Sequence, residues 1–365
     1  MGKSHGWCYL LYSESSNSDI EKIKLILRII GSPYCLPEKV ELSENQIKEL
    51  YKIAVKNKIG LLFLESLNKT DLISELNDEL YKQRKIKSMQ IRTWERTIDV
   101  VNESNCKYVI VKSLFPFPAI PNDIDVLILD GDKEYRSVIE GLKKNHFAVL
   151  GEAALEINLR DSTSAKSLDP LDKEWVDIDI YKEVGASHLV YMNKHKLLPY
   201  VRQDKINDKT VNILNPYAEM AISIFHAIYP ERIYTLLLHL LILHTIDKMN
   251  DHEIKEFQKF CSEQKIENAV LNTLCVTETI QQECFGEVPE KLQIVRSLFG
   301  TSKQIEIYRV PYIFPMNILV NSFWEKRFEP TFISGAIKQI FAMFRPKTAR
   351  FVIKVYKERA DRDTY

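Results

Sequence analysis

Apolar residues recur at three- and four-residue spacing through the first hundred positions of this chain. Residues 19–30 show the pattern, with Ser18 or Asp19 placed to cap its start. Residues 43–67 repeat it behind Ser43-Glu-Asn-Gln46, a capping-box sequence, with Ile47, Leu50, Tyr51, Ile53 and Ala54 supplying the apolar positions. A third helical pattern covers residues 72–101. From Lys107 the period shortens. Residues 108–111 and 123–129 read as buried strands, Asp130-Gly-Asp132 as a turn and cap, and 133–145 as an amphipathic helix. Strands are expected at 154–160 and 174–182, on either side of a polar loop at 161–173. Residues 200–205 and 210–214 flank Ile206-Asn-Asp-Lys209 as a hairpin. Asn215-Pro216 then opens a helix, with Asn as cap and Pro in the first turn. Pro230 interrupts it, a second helix is expected from Glu231 to about Met249, and helices continue over 251–300. Residues 332–344 and 346–359 carry an apolar face laced with Lys338, Arg345, Lys347, Arg350, Lys354, Lys357 and Arg359.

This order predicts an α+β fold. A helical N-terminal segment (1–104) and a helical C-terminal domain with a basic amphipathic tail (215–365) would flank a small mixed β-sheet core (105–214). Composition bounds the reading without redirecting it. The chain has 365 residues, 45% hydrophobic and 27% charged, with Lys+Arg and Asp+Glu equal at 50 each, so no global field gathers nucleic acid. Six cysteines are scattered without a Cys-x-x-Cys pair, as expected of reduced thiols in a cytoplasmic protein. No signal-peptide pattern opens the sequence, and residues 236–246 are too short a run to span a bilayer.

The chemistry concentrates in two strands. In Asp123-Ile-Asp-Val-Leu-Ile-Leu129 the two acids lie one residue apart and share a strand face. In Trp175-Val-Asp-Ile-Asp-Ile-Tyr181, Val176, Ile178 and Ile180 face one way while Asp177 and Asp179 face the other. Side by side, these strands would gather three or four carboxylates, which repel one another until a hard divalent cation joins them. The bland alternative is a pair of solvated strand ends. His226, His239 and His244 lie on apolar helices and read as core or crevice residues, with His226 the best placed to line a site.

Taken together, these residues resemble the nucleotidyltransferase superfamily, whose core is similar to that of DNA polymerase beta, and more closely a group of uncharacterised bacterial and archaeal nucleotidyltransferase-like proteins. The resemblance covers residues 45–250 and rests on the helix at Gln46–Leu62, the Asp-x-Asp strand, the later acidic strand, and the helix bearing His226. It implies Mg²⁺ or Mn²⁺ held by Asp123, Asp125 and Asp177, with Asp179 the other claimant on the same face. It implies that an NTP is gripped at Lys112-Ser113, where the family has a glycine, and that Asp179 and His226 border the nucleotide. It further implies transfer of NMP from the NTP to a hydroxyl of an unspecified acceptor (small molecule, protein or RNA), with release of pyrophosphate. Two other functions stay open on the sequence. One is a non-catalytic relative, consistent with Ser113 replacing the glycine. The other is a glycosyltransferase using Asp123-x-Asp125 to hold a metal on a sugar nucleotide. The tail could touch a membrane surface or an RNA; its plain reading is a helix with a solvated basic face.

Overall fold

The computed structural model describes residues 7–344, apart from 71, 122, 166, 168–174, 302–304 and 308, with side chains from Asp19 onward except that of Met343. The chain begins with α1 (Trp7–Ile30), α2 (Glu44–Lys56), α3 (Gly60–Lys69), a 3₁₀ turn at Ser74–Leu76 and α4 (Asn77–Glu103). Next come β1 (Tyr108–Val111), β2 (Asp123–Ile128), α5 (Asp132–Lys144), β3 (Phe147–Glu152), β4 (Glu156–Asp161) and β5 (Asp177–Tyr181). The short pair β6 (Val184–Ala186) and β7 (Leu189–Met192) leads through a 3₁₀ segment to the hairpin β8 (Val201–Ile206) and β9 (Lys209–Leu214). The remainder is α6 (Pro216–Ile228), β10 (Ile233–Tyr234), α7 (Leu236–Lys248), α8 (Asp251–Glu263), α9 (Glu267–Phe285), α10 (Glu290–Ser297), β11 (Tyr312–Ile313), α11 (Met316–Glu325) and α12 (Pro330–Met343). The fold is α+β, with a seven-stranded mixed sheet flanked by helices.

That sheet runs β3-β4-β5-β2-β1-β9-β8. β2 pairs parallel with β5 and β1 parallel with β9, while the other neighbours are antiparallel. Alternation along the central strands divides the interior into two cores. Ile124, Val126 and Ile128 of β2 and Ile178 and Ile180 of β5 pack with Trp94, Ile98 and Val101 of α4 and Val138 and Leu142 of α5. On the opposite face, Val109, Val111 and Leu127 join a larger core built from α1–α3 together with α6–α11. The N-terminal helices thus share their core with the C-terminal ones. Among the described residues no helix is long and apolar enough to cross a membrane.

Several local expectations need correction. The helical signal over 43–67 is two helices, broken where Lys58 adopts φ 61°. The cause is Asn57, fully buried, whose amide donates to the carbonyls of Ile53 (3.1 Å) and Val310 (3.3 Å). Its Oδ1 accepts from the Leu236 N–H (3.1 Å) and its carbonyl from the Leu237 N–H (3.2 Å), so Asn57 caps α7 from across the fold. The helix expected from Glu231 begins only at Leu236, because Ile233 and Tyr234 pair with Ile313 and Tyr312. β3, β6 and β7 were not anticipated. β3 is an edge strand with Val149 turned to solvent, so alternation is weak there, and β6 and β7 are too short to carry a period. Residues 345–365 of the basic tail lie outside the described residues.

Candidate functional site

The strand acids sit on the sheet face that looks toward the helical core. β2 and β5 run parallel with Asp123 opposite Asp177 and Asp125 opposite Asp179. β4 adds a third row from the other side of β5, with Glu156 opposite Tyr181, Asn158 opposite Asp179 and Arg160 opposite Asp177. Because in-register neighbours point the same way, all these polar side chains share one face. Their alternates, Ile157, Leu159, Ile178, Ile180, Ile124 and Val126, are buried on the other.

Register also separates the two aspartates of β5. Arg160, 1% exposed, grips Asp177 through two hydrogen bonds, Nε to Oδ1 at 2.6 Å and Nη2 to Oδ2 at 3.2 Å. Asp177 is therefore engaged as one half of a buried ion pair. Asp179 faces Asn158, whose Nδ2 donates to its Oδ1 at 2.7 Å, while the Tyr181 hydroxyl lies 3.5 Å from Oδ2. The carboxylates that converge are Asp123, Asp125 and Asp179, each with an oxygen within 4.8 Å of the others. Asp177 falls outside that cluster, whose third carboxylate is Asp179.

Burial makes the cluster electrostatically tense. It raises the Asp125 carboxyl, with Lys112 opposing and Asp123 adding to the rise. It raises Asp179 as well, and there the charges of Asp123 and Asp125 push further in the same direction. Oδ1 of Asp125 is buried without a hydrogen-bond partner. A cluster of three carboxylates, one of them with a buried oxygen that has no partner, fits a hard divalent cation and suits neither a soft metal nor an apolar ligand.

Lys112 and Ser113 follow β1 and behave differently from one another. Lys112 takes φ 53°, a left-handed backbone that glycine accepts more readily, and its N–H donates to Glu219 of α6. Its ammonium lies 3.3 Å from Asp125 Oδ2 and 5.0 Å from the centre of the Tyr181 ring. Burial would lower this lysine, but Asp125 and Asp123 raise it overall. Ser113 is buried and turned inward. Its hydroxyl donates to Val111 O and accepts from the Asp125 N–H, both at 2.9 Å, so it holds the backbone of Asp125 in place.

These groups open into a cleft of about 300 Å³, with Lys112, Asp123, Asp125, Glu156, Asp179 and Tyr181 on its sheet side. α6 contributes Ser223 and His226 to the lining, while Lys58, at the helix break, and Glu231 also border it. Nδ1 of His226 is 3.3 Å from the Tyr191 hydroxyl and Nε2 is 3.7 Å from Glu231. Burial lowers this imidazole to about 4, with Lys112 acting in the same direction, so it is neutral near pH 7. Glu219, half-buried, is pushed up to about 7 by its partial removal from water and sits behind Lys112. Sequence reasoning missed Glu156, Asn158, Arg160, Tyr181 and Glu219. The alternation Glu156-Ile-Asn-Leu-Arg160 was a signal for three of them, whereas nothing local marks Glu219. Comparison with family models, with curated proteins and with solved structures gives no match to this chain.

Proposed function

We propose that the protein is a divalent-metal-dependent nucleotidyltransferase. The reading is carried by the convergence of Asp123, Asp125 and Asp179 on the cleft wall, one of which, Asp125, has a buried oxygen without a hydrogen-bond partner. The resemblance of the acidic strands to the nucleotidyltransferase superfamily supplies the reaction class. Asp123, Asp125 and Asp179 would hold Mg²⁺ or Mn²⁺, which when bound would neutralise charge on a triphosphate. Lys112, moving from Asp125 to phosphate oxygens, would add a point charge there. The acceptor hydroxyl would form the new P–O bond, the bond to pyrophosphate would break, and the hydroxyl proton would pass to Asp179. Asp177 and Arg160 would keep β5 and β4 in the register that presents Asp179. Ser113 would position Asp125 rather than touch phosphate, and neutral His226 and Ser223 would border the acceptor.

One observation favours a second reading, a non-catalytic relative. Lys112 already places a cation on Asp125, and Ser113 is committed to the backbone. Thermal unfolding with Mg²⁺ and each NTP separates the two, alongside transfer of label from NTPs to candidate acceptors. Transferase chemistry requires that Mg²⁺-NTP raise the melting temperature of the wild type and not of Asp125→Asn. An identical response from both proteins, with no acceptor labelled, would leave the non-catalytic reading standing.

A further inference from the structure

Two ion pairs on the polar face of the sheet are built differently. Arg160 meets Asp177 through two hydrogen bonds, of 2.6 and 3.2 Å, and its Nη1 donates to the Ser167 carbonyl at 3.1 Å, with the residue 1% exposed. A planar fork closed on a carboxylate and a carbonyl holds one geometry. Lys112 meets Asp125 through a single contact, Nζ to Oδ2 at 3.3 Å, and its side chain keeps 15% exposure where it lines the cleft. Oδ1 of the same carboxylate has no hydrogen-bond partner. A compact ammonium on a four-carbon stem acts as a point charge that can be handed from one anion to another. The first pair is fixed and the second is exchangeable.

The surroundings of Lys112 hold its root and leave its tip free to move. Its backbone sits at φ 53° and its N–H donates to Glu219 of α6, which keeps the Cα in place. The ammonium rests over the Tyr181 ring, 5.0 Å from its centre. Lys112, Asp123, Asp125 and Asp179 all line the same cleft, so the tip can leave Asp125 for the cleft without backbone movement. Asp123, Asp125 and Asp179 are also the cluster that suits a divalent cation. An ammonium and a divalent cation on one partly desolvated carboxylate repel each other strongly, so each holds Asp125 at the other's expense. An anion in the cleft resolves that conflict, because it draws the ammonium away and leaves Asp125 to the metal.

We propose that Lys112 is an internal counter-cation that makes metal binding at Asp123, Asp125 and Asp179 depend on a polyphosphate. The metal alone is opposed by the ammonium, whereas a metal–triphosphate complex is accepted because its phosphates take the ammonium over. The inference rests on the metal site of the nucleotidyltransferase reading and adds a regulation to it. Its probes are Mn²⁺ and inorganic tripolyphosphate, which carry the shared chemistry of every NTP without a base. With free Mn²⁺ followed by electron paramagnetic resonance, Lys112→Gln and Lys112→Met should each bind the metal alone at least about tenfold more tightly than the wild type, an ordinary size for coupling between ligands. Lys112→Gln keeps a donor for Asp125 and so spares the fold. Melting temperatures give the second measurement. The wild type should gain more from Mn²⁺ and tripolyphosphate together than from the two separate gains combined, while the variants should draw most of their gain from Mn²⁺ alone. Variants that bind Mn²⁺ no more tightly than the wild type, while Mn²⁺-tripolyphosphate still stabilises the wild type, would overturn the inference and leave the metal site standing. A wild type that gains no more from the two probes together than from each separately would also overturn it, whether or not the variants fold. Absence of Mn²⁺ binding in all three proteins, with and without tripolyphosphate, would remove the metal site and the inference with it.

Discussion

Asp177 and Asp179 are two residues apart on one strand face, yet their neighbours give them opposite chemistry. Asp177 pairs with a guanidinium that is 1% exposed and that also donates to the Ser167 carbonyl, so Asp177→Asn removes one charged partner of a buried group and should cost about 2 kcal/mol. Asp179 sits among like charges, so Asp179→Asn relieves repulsion, and Asn158 can still donate to the new amide oxygen. Without metal, that variant should unfold at or above the wild-type temperature and lose the shift caused by Mg²⁺. Urea denaturation and calorimetry with and without Mg²⁺ check both expectations. If Asp179→Asn keeps the full Mg²⁺ response while Asp177→Asn loses it, the third metal ligand is Asp177.

His239 illustrates how a buried residue couples to solution pH. Its Nδ1 is 3.0 Å from the Tyr234 hydroxyl, which is 2.8 Å from Thr277 Oγ1, and its Nε2 is 3.0 Å from Gln281 Nε2. Thr277 donates onward to Thr273 O, so it accepts from Tyr234. The network therefore puts the proton on Nδ1 and leaves Nε2 to accept from Gln281. Burial lowers this imidazole to about 3. The folded pKa is below the unfolded one, so the unfolded chain takes up the proton first as pH falls. This contribution to stability is complete above about pH 6.5 and is lost toward pH 3, at up to about 1.4 kcal/mol per pH unit. His239→Gln should flatten that slope relative to wild type in chemical denaturation at stepped pH; an unchanged slope would exclude His239 as its source.

At the scale of elements, the joint between α2 and α3 governs more than its own helices. Asn57 supplies acceptors to the first N–H groups of α7 and donates to the 310 loop, tying the N-terminal helices to the C-terminal ones. Asn57→Ala should cost about 3 kcal/mol, since buried donors and acceptors lose their partners. Hydrogen exchange should localise the loss to the start of α7, and protection there equal to wild type would contradict the capping role. The sequence shows the capping box of α2, which the structure reproduces with Ser43 and Gln46 each bonded to the other's backbone. It cannot show the helix break, because the partners that make Asn57 worth burying are far away in the chain.

For the whole molecule, the sheet is sandwiched between α4 and α5 on one face and the shared helical core on the other. A fragment spanning 105–214 would keep every central strand but lose α4 and all the helices that cover Val109, Val111 and Leu127. Such a fragment is expected to unfold without a cooperative transition, and a sharp two-state urea curve for it would refute that. The class and the order of the longer elements were readable from local pattern, since alternation and helical spacing are properties of neighbouring residues, whereas the short strands β6 and β7 and the edge strand β3 were not. Placement of Asp123 with Asp125 and of Asp177 with Asp179 on single faces follows from the same period of two. What the sequence by itself could not determine is which acid faces Arg160 and which faces Asn158, or that Glu219 and Lys112 meet. Those depend on register between strands and on packing between distant segments, which only the assembled cores decide.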